Sequence, residues 1–337
     1  MTIIIVHNLP FGDWTNFVKE NPKGNIFHTP EMYEVYKQTA GYNPELWAAV
    51  ENEHILALMI PVRLLFFKGR FGWLLTRAVV YGGVLSEPTP EGHEALDILL
   101  KTYKQEHGRK AVFTELRNVC CEDDIQQILT NNKFLYEEHL NYHINLDLQP
   151  EEIFQGIGKR TRRNIRHGLN QGLVTIEEVT DQSGLDDCYN LLCQTFRTAK
   201  VPLADSSLLH AAFNILYPQN MIRFTLARVD KTPVAISIEL LYKDIAYGWF
   251  GGMDRKYSSY IPNELLMWNL LLWCNEKGYK LYDFGGAGKP NEEYGVRDFK
   301  AKFGGQLVCF GRNTWTPDPM KLKVFNFGYQ IYRRLFI

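Results

Sequence analysis

The sequence lacks the features that mark several large classes of protein. Its 337 residues carry a formal net charge of -1, so it does not bind nucleic acid through overall charge, and any basic patch must be local. No apolar run approaches the ~20 residues that cross a bilayer. The N-terminal stretch has neither the basic segment nor the long apolar run of a signal peptide. We therefore expect a cytoplasmic protein.

Metal and disulfide signatures are also scarce. The six cysteines form no CxxC pair, and no HExxH motif occurs among the nine histidines. No Ser-His-Asp or Cys-His pairing typical of a nucleophilic enzyme stands out either. The sequence therefore predicts reduced thiols, no bound metal and no covalent intermediate.

What the chain does contain is an informative stretch from 263 to 305. An apolar helix opens at Asn263-Glu264 and closes at Lys277-Gly278, where helix-stop residues occur. A short strand, 280–284, runs into a loop with three glycines, and a polar-aromatic helix follows up to Gly304-Gly305. This order is how an α/β sheet presents a site at the carboxyl end of a strand.

The element order of this half of the chain occurs twice. Each half reads as a helix pair, antiparallel hairpins, a long helix that ends in glycine, a strand, a short helix and a strand. We predict an α+β fold of two tandem modules, each a mixed, mostly antiparallel sheet flanked by helices. The first takes 1–148 with a returning C-terminal segment, 313–337, and the second takes 149–312. One large irregular α/β domain is the alternative.

Three local predictions accompany this division. A single basic helix is expected over 151–171, at the start of the second module. A hairpin is expected over 64–75, and an amphipathic helix over 321–337 is expected to pack back on the first module. The last two segments mix aromatic and basic residues, so they are also candidates for contact with a membrane surface; ordinary core packing is the alternative.

Several motifs in order make the chain similar to a known family. They are Phe27-His28-Thr29-Pro30 with Tyr33 to Lys37, Lys159 to Arg166, Thr195-Phe196-Arg197, Pro262 to Leu266, Tyr282 to Gly286, and Phe299 to Gly305. The element order resembles the acyltransferase fold of GNAT proteins. The tandem resembles the Fem family, the peptidoglycan-bridge aminoacyltransferases, and their FemAB-like relatives. The long coiled-coil arm of some family members is missing.

The resemblance implies a reaction and its partners. An aminoacyl group would pass from aminoacyl-tRNA to an amine of a nucleotide- or lipid-linked muropeptide precursor, without a tightly bound cofactor. Acetyl- or acyl-CoA is the less favoured donor, because 251–258 lacks the Q/R-x-x-G-x-G/A pattern that binds the CoA pyrophosphate. The alternatives are an acyl-CoA-dependent N-acyltransferase acting on an envelope or exopolysaccharide sugar precursor, and a double module that binds a precursor without catalysis.

Two residues are candidates for the chemistry. Lys300 is predicted to stabilise the tetrahedral oxyanion, since a cation in a closed cleft favours developing negative charge. The resemblance of Phe299-Lys300 to the family motif supports this role, and a solvated helix lysine is the alternative. Asp283 ends the strand before the glycine loop and is predicted to accept or orient the proton of the amine. Capping of the following loop is its alternative role.

Binding residues are assigned by the same resemblance. Lys37 and Arg197 would hold the diphosphate of a nucleotide-linked precursor, as long cations suit such a group. The remaining residues of the expected cleft are Trp249, Asn263, Tyr294, Arg297, Phe299, Gly285 and Gly286. Five cations lie between Lys159 and Arg166, and Lys159, Arg160 and Arg163 are expected to contact tRNA phosphates. A solvated helix face is the alternative for this run.

Overall fold

The chain forms two compact units. A computed structural model describes residues 2–65, 76–106, 110–323 and 325. Unit 1 comprises Met1–Glu138 and Phe310–Phe336, and unit 2 comprises His139–Cys309. Most of the hairpin predicted over 64–75 lies outside the described residues, as does most of the helix predicted over 321–337.

Unit 1 is built from short strands and helices. The helices before unit 2 are α1 (Phe11–Glu20), α2 (Pro30–Lys37), α3 (Pro90–Glu106) and α4 (Gln126–Asn131), and residues 319–323 after unit 2 are also helical. The strands before unit 2 are β1 (Ile4–Val6), β2 (Tyr42–Pro44), β3 (Trp47–Glu51), β4 (His54–Met59), β5 (Pro61–Leu64), β6 (Arg77–Tyr81), β7 (Leu85–Ser86), β8 (Thr114–Arg117) and β9 (Leu135–Glu137). Helix α3 buries Leu96, Leu99, Leu100 and Tyr103, the apolar stripe expected at this spacing, against the strands.

Unit 2 contains one seven-stranded sheet with helices around it. Its strands are β10 (Leu140–Asn145), β11 (Val174–Glu178), β12 (Ile222–Val229), β13 (Thr232–Tyr242), β14 (Ile245–Met253), β15 (Leu281–Gly286) and β16 (Gln306–Cys309). Its helices are α5 (Pro150–Gly156), α6 (Lys159–Gln171), α7 (Gln182–Ala199), α8 (Ser207–Leu216), α9 (Pro262–Glu276) and α10 (Gly295–Ala301). The strand order is β11-β12-β13-β14-β15-β10-β16. Helix α9 buries Leu265, Leu270 and Leu271 in the core of unit 2, which explains the leucine-rich runs of its sequence.

Each unit contains one parallel strand pair within an antiparallel sheet, as far as the described residues show. In unit 2 the parallel pair is β14 with β15, and in unit 1 it is β6 with β8. In both units a helix connects the two parallel strands: α9 in unit 2 and α3 in unit 1. This repeated βαβ arrangement confirms the predicted fold class of two similar α+β modules.

One strand of the seven-stranded sheet of unit 2 and one strand of the six-stranded sheet of unit 1 come from an unexpected part of the chain; the four strands β1-β3-β4-β7 of unit 1 form a separate sheet. Strand β10 lies between β15 and β16 in unit 2. The last strand in the described part of the chain, β17 (Arg312–Trp315), lies between β8 and β9 in the sheet β2-β5-β6-β8-β17-β9 of unit 1. The units therefore divide at 138/139, and not at the 148/149 boundary drawn from the sequence. An alternating pattern indicates a strand but does not say with which strand it pairs.

The basic helix predicted over 151–171 is two helices, α5 and α6. Ile157 between them is buried in an extended conformation. The amide of the next residue, Gly158, donates a hydrogen bond to the carbonyl of Lys302 at 2.8 Å. This long-range bond and the buried Ile157 side chain fix the break between α5 and α6.

Near the C-terminal end of the described residues, Phe325 packs edge-on against Phe113 in unit 1, with ring centres 5.4 Å apart.

Candidate active site

The site of unit 2 begins where its two parallel strands part. Strands β14 and β15 pair for only three residues, ending at Tyr247 opposite Asp283. Beyond this point β14 continues along β13 to Met253 with a bulge at Trp249, while β15 runs into the glycine loop, defined as 285–288. The separation opens the carboxyl ends of the two strands, which is where α/β sheets hold ligands.

The Asp283 carboxylate shapes the start of this loop. The side chain is buried, and its Oδ1 accepts the amide of Gly285 at 2.7 Å. The Asn141 side-chain amide donates to Oδ1 at 3.3 Å, and His143 Nε2 lies 3.4 Å from Oδ2. Asp283 therefore caps the loop, the alternative role that the sequence left open. Its action as a base stays a prediction.

Lys300 holds the same loop from the carbonyl side. Its Nζ donates to the carbonyls of Phe284 at 2.5 Å, Gly285 at 3.1 Å and Gly286 at 2.8 Å. Burial lowers the pKa of Lys300 to about 8, and the charge of Asp283 opposes this shift. Only 7% of the residue is exposed, so Lys300 is not a solvated helix lysine. It is a buried cation whose three donors are directed at backbone oxygens.

Arg297 holds the end of the loop and the two residues that follow it. Its guanidinium donates to the carbonyl of Ala287 at 2.8 Å, to that of Pro290 at 3.2 Å, and to that of Lys289. The Tyr294 ring lies beside Gly288, where a Cβ would come within 3.1 Å of the ring. Helix α10 and the residue before it therefore supply three side chains, Tyr294, Arg297 and Lys300, that pack on or bind the loop backbone.

The other predicted binding residues of unit 2 lie apart from these contacts. Phe299 packs on Phe303 with ring centres 5.2 Å apart, and Trp249 packs on Phe250 at 4.8 Å. Arg197 is exposed in the last turn of α7, and Asn263 is half-buried in the first turn of α9. Within the described part of the chain, no hydrogen bond or ion pair joins Trp249, Asn263 or Arg197 to the loop.

The remaining predicted cations lie on two helices, α2 and α6. Lys37 is in the last turn of α2 in unit 1, where its exposed ammonium is 3.4 Å from Glu34. On α6, Lys159, Arg160 and Arg163 are exposed. The other two cations of that run contact neighbouring side chains or backbone. Arg162 donates to the carbonyl of Gln155 at 3.0 Å, and Arg166 lies 5.0 Å from the ring centre of Phe154.

Sequence reasoning missed the contribution of β10 to the site. Asn141 and His143 contact Asp283, and His139 lies beside Gly286, where a Cβ would meet the imidazole at 3.0 Å. The two histidines are four residues apart, a spacing that could have drawn attention to them. Nothing in that spacing, however, assigns the strand to the sheet of unit 2. No group of His, Cys, Asp or Glu in the described ranges could hold a metal ion.

The corresponding edge of unit 1 is filled by its own side chains. Gly82 and Gly83 follow β6 there, as the bulge and loop follow the parallel strands of unit 2. The Asn25 side chain donates to the carbonyl of Gly82 at 3.2 Å, and His28 Nε2 lies 3.1 Å from the carbonyl of Gly83. A Cβ at Gly82 would come within 2.4 Å of Asn25. The edge of unit 1 is therefore occupied, and unit 2 carries the better candidate site.

Comparison with known families identifies the domain type. Residues 158–300 match the family model described as an acetyltransferase (GNAT) domain. This segment contains β11 to β15 and ends at Lys300. The predicted class of enzyme, an acyltransferase, is thereby confirmed. No curated protein sequence matches the chain.

Solved structures match the fold of the whole chain. A crystal structure of FemX superposes with a TM-score of 0.72 at 15% identity, covering 99% of this chain and 100% of that one. The C-terminal domain of a putative lysylphosphatidylglycerol synthetase from Agrobacterium fabrum gives 0.59 at 11% identity, with 96% and 95% covered. A tandem GNAT protein from the clavulanic acid pathway gives 0.58 at 10% identity, with 94% and 99% covered. The predicted tandem GNAT-like fold of the Fem type is confirmed.

Among the described residues, no helix is both long and apolar enough to cross a bilayer.

Proposed function

We propose that this acyltransferase, with its GNAT domain in unit 2, moves an aminoacyl group from aminoacyl-tRNA to an amine of a muropeptide precursor. The observation that carries the proposal is the buried pair of Lys300 and Asp283 on the two sides of the glycine loop. The Fem-type fold of the whole chain supports it. The acceptor would be nucleotide- or lipid-linked, and the reaction would take place at the cytoplasmic side of a membrane.

The reaction requires charge stabilisation more than a nucleophilic side chain. The acceptor amine attacks the ester carbonyl carbon, and the carbonyl oxygen becomes an oxyanion. Collapse breaks the ester C–O bond, and the ribose hydroxyl of the tRNA leaves with the proton lost by the amine. Lys300 supplies a positive charge in a poorly solvated position next to the loop, where it favours the oxyanion. Asp283 keeps that charge and the loop in place, and it remains the candidate base.

Binding of the two substrates follows the residues assigned above. Lys37 of unit 1 and Arg197 of unit 2 are both exposed, and each is a candidate for binding the diphosphate of a precursor. The exposed cations of α6, Lys159, Arg160 and Arg163, would track tRNA phosphates, with an affinity that falls as salt rises. Trp249, Asn263 and Phe299 would line the acceptor cleft. No tightly bound cofactor takes part in this scheme.

The hydrogen bonds of the turn before α9 make acyl-CoA the less favoured donor. A CoA pyrophosphate needs free backbone N–H groups at that helix N-terminus. Here the amide of Lys256 donates to the Asp254 side chain at 3.0 Å, that of Tyr257 to the Asp254 carbonyl at 3.1 Å, and that of Ile261 to Ser258 at 3.1 Å. These amides are already used within the turn, and Pro262 has none to offer.

A transfer assay tests the proposal. Labelled aminoacyl-tRNA is incubated with the enzyme and either a nucleotide-linked or a lipid-linked muropeptide, and label in the muropeptide is measured. Transfer to one of the acceptors is expected. No transfer together with a rise in melting temperature on adding acetyl-CoA would favour the acyl-CoA enzyme instead. Precursor binding without any transfer, with either donor, would favour the non-catalytic double module.

A further inference from the structure

One face of the six-stranded sheet in unit 1 carries three arginines. Arg77 lies on β6, Arg117 on β8 and Arg312 on β17. Arg117 is paired across the sheet with Arg312 on one side and with Tyr81 on the other, so their side chains share a face. The residues of the opposite face that pack on the core are Val80, Leu116 and Trp315. The three arginines and Tyr81 are called the arginine face below.

Two of these arginines are direct cross-strand neighbours, which is unfavourable for like charges. Glu115 lies two residues before Arg117 on the same face and accepts hydrogen bonds from both. Its Oε1 is 2.5 Å from Arg117 Nε, and Arg312 Nη1 is 3.3 Å from Oε1 and 3.4 Å from Oε2. A single carboxylate therefore bridges two guanidinium groups.

The arginines of this face act strongly on the Glu115 carboxylate. Burial alone would raise the pKa of Glu115, but the charges of Arg117, Arg312 and Arg77 outweigh it and lower the pKa to about 2. Glu137 is the cross-strand partner of Arg312 on β9, so the described residues of this face include two carboxylates beside the three arginines. The Tyr42 hydroxyl, which hydrogen-bonds to that of Tyr81, stays protonated at neutral pH because burial raises the pKa of Tyr42.

Solvent reaches the guanidinium groups. The side chains of Arg117 and Arg312 are 29% and 26% exposed, and that of Glu115 is 15% exposed. The Arg117 guanidinium also lies 5.5 Å from the ring centre of Tyr81, which restricts its position. Solvent-accessible guanidinium groups held by neighbouring side chains suit the bidentate binding of phosphate or carboxylate oxygens.

We propose that the arginine face of unit 1 binds an oxyanion ligand, a phosphate or carboxylate group, between Arg117 and Arg312, and that Glu115 is the internal anion that competes with it. This function goes beyond the chemistry proposed for unit 2 and does not depend on it. Because Glu115 competes with the ligand, removing an arginine must lower the affinity for the oxyanion, and removing the glutamate must raise it.

The experiment measures oxyanion binding to the full-length protein by calorimetry and by the shift of the melting temperature. Phosphate, pyrophosphate and succinate are compared with chloride at equal ionic strength and pH 7. Arg117→Gln and Arg312→Gln are each expected to weaken binding roughly ten-fold, since a charge-assisted bond is lost. Glu115→Gln is expected to tighten it several-fold. Phosphate and succinate show whether the ligand is of the phosphate or the carboxylate type.

A matched control lies in unit 2. Arg228 there is bonded to Glu177 at 2.5 Å and to Asp187 at 2.9 Å, without a second arginine beside it among the contacts described. Glu177→Gln removes a carboxylate from an arginine in the same way but is expected to leave oxyanion binding unchanged.

Three results would overturn the site. They are an effect of oxyanions no larger than that of chloride, an unchanged affinity in both arginine variants, and an affinity of Glu115→Gln no higher than that of the wild type. Should Glu115→Gln not fold in chloride, recovery of the folded protein in pyrophosphate replaces the binding measurement. Failure to recover would then count against the proposal. None of these results bears on muropeptide transfer by unit 2, so the proposed function does not depend on whether the oxyanion site exists.

Discussion

Lys300 and Asp283 act on the same backbone turn from opposite sides. The ammonium of Lys300 binds the carbonyls of 284–286, and the carboxylate of Asp283 binds the amide of Gly285. The loop is therefore fixed by one positive and one negative side chain, each buried. A charge held in this way needs little reorganisation when an oxyanion forms beside it.

Replacing the ammonium should impair transfer far more than it impairs folding. We expect Lys300→Met to lower kcat about 10²–10³-fold, as the loss of a preorganised charge or donor does in other enzymes. The melting temperature should fall moderately, because three carbonyls lose their donor. Lys302→Met is the control, since Lys302 lies two residues away and is exposed. Equal rates for the two variants would remove Lys300 from the mechanism.

The rate should fall at alkaline pH. The pKa of Lys300 is about 8, below the ordinary 10.5, because burial disfavours its charge. The ammonium is present below this pKa and is lost above it, so transfer should decline as the pH rises beyond about 8. The contribution of Lys300 to folding stability should change in the opposite direction. The cost of burying its charge is largest below pH 8 and decreases between pH 8 and 10.5, so this contribution rises with pH. Single-turnover rates between pH 6 and 10 check the first statement, and a flat profile contradicts it.

Asp283→Asn should shift the decline of the transfer rate at alkaline pH to a lower pH. An asparagine oxygen can still accept the amide of Gly285, so the loop is expected to keep its shape. The negative charge that opposes the burial of Lys300 is lost, however, so the pKa of Lys300 should fall further. The rate would then decline at a lower pH than in the wild type. If the variant lost activity equally at every pH, Asp283 would instead be the base that takes the proton of the amine.

Gly285→Ala should destabilise the loop by about 1–2 kcal/mol for its backbone conformation alone. Gly285 has a φ of +68°, and a Cβ there would be 3.1 Å from Tyr247 Oη and 3.2 Å from the carbonyl of Gly248. Gly295→Ala is the matched control, because it begins α10 with an ordinary φ and no atom within 4 Å of the added methyl. Denaturant unfolding of both variants compares them. Similar free energies of unfolding would show that the loop adapts.

A buried glutamate should make unit 2 lose stability with rising pH. Burial raises the pKa of Glu239 to about 8, although a hydrogen bond with Ser237 and the charge of Arg223 both act to lower it. The folded state therefore keeps a proton that the unfolded chain releases near pH 4.5. The stabilisation is complete below pH 4.5 and is lost as the pH rises towards 8. Glu239→Gln should reduce the loss between pH 5 and 8 by ~1–3 kcal/mol, measured as the free energy of unfolding. An unchanged slope would contradict the shift.

The candidate site could be predicted only in part. The glycine loop and the position of Lys300 follow from a strand, three glycines and a helix in order. The hydrogen-bond partners of Lys300 could not be predicted, because a lysine in a helix is ordinarily solvated. Its burial is tolerated only because neighbouring carbonyls accept its hydrogen bonds. The contacts of Arg297 with the carbonyls of Ala287 and Pro290 were not foreseen either, and its contact with substrate stays a prediction. Asn141, His139 and His143 were absent from the prediction because their strand was assigned to the other module.

The sequence by itself determined the order of helices and strands, the repeat of that order, and the glycine loop, since hydrophobic period and glycine placement are local properties of the chain. Tertiary structure alone decided which strands pair: β10 completes the sheet of unit 2, and β17 completes that of unit 1. It also decided which charges are buried, on Lys300 in one unit and around Glu115 in the other. Both depend on contacts between residues far apart in the chain, which no local pattern encodes.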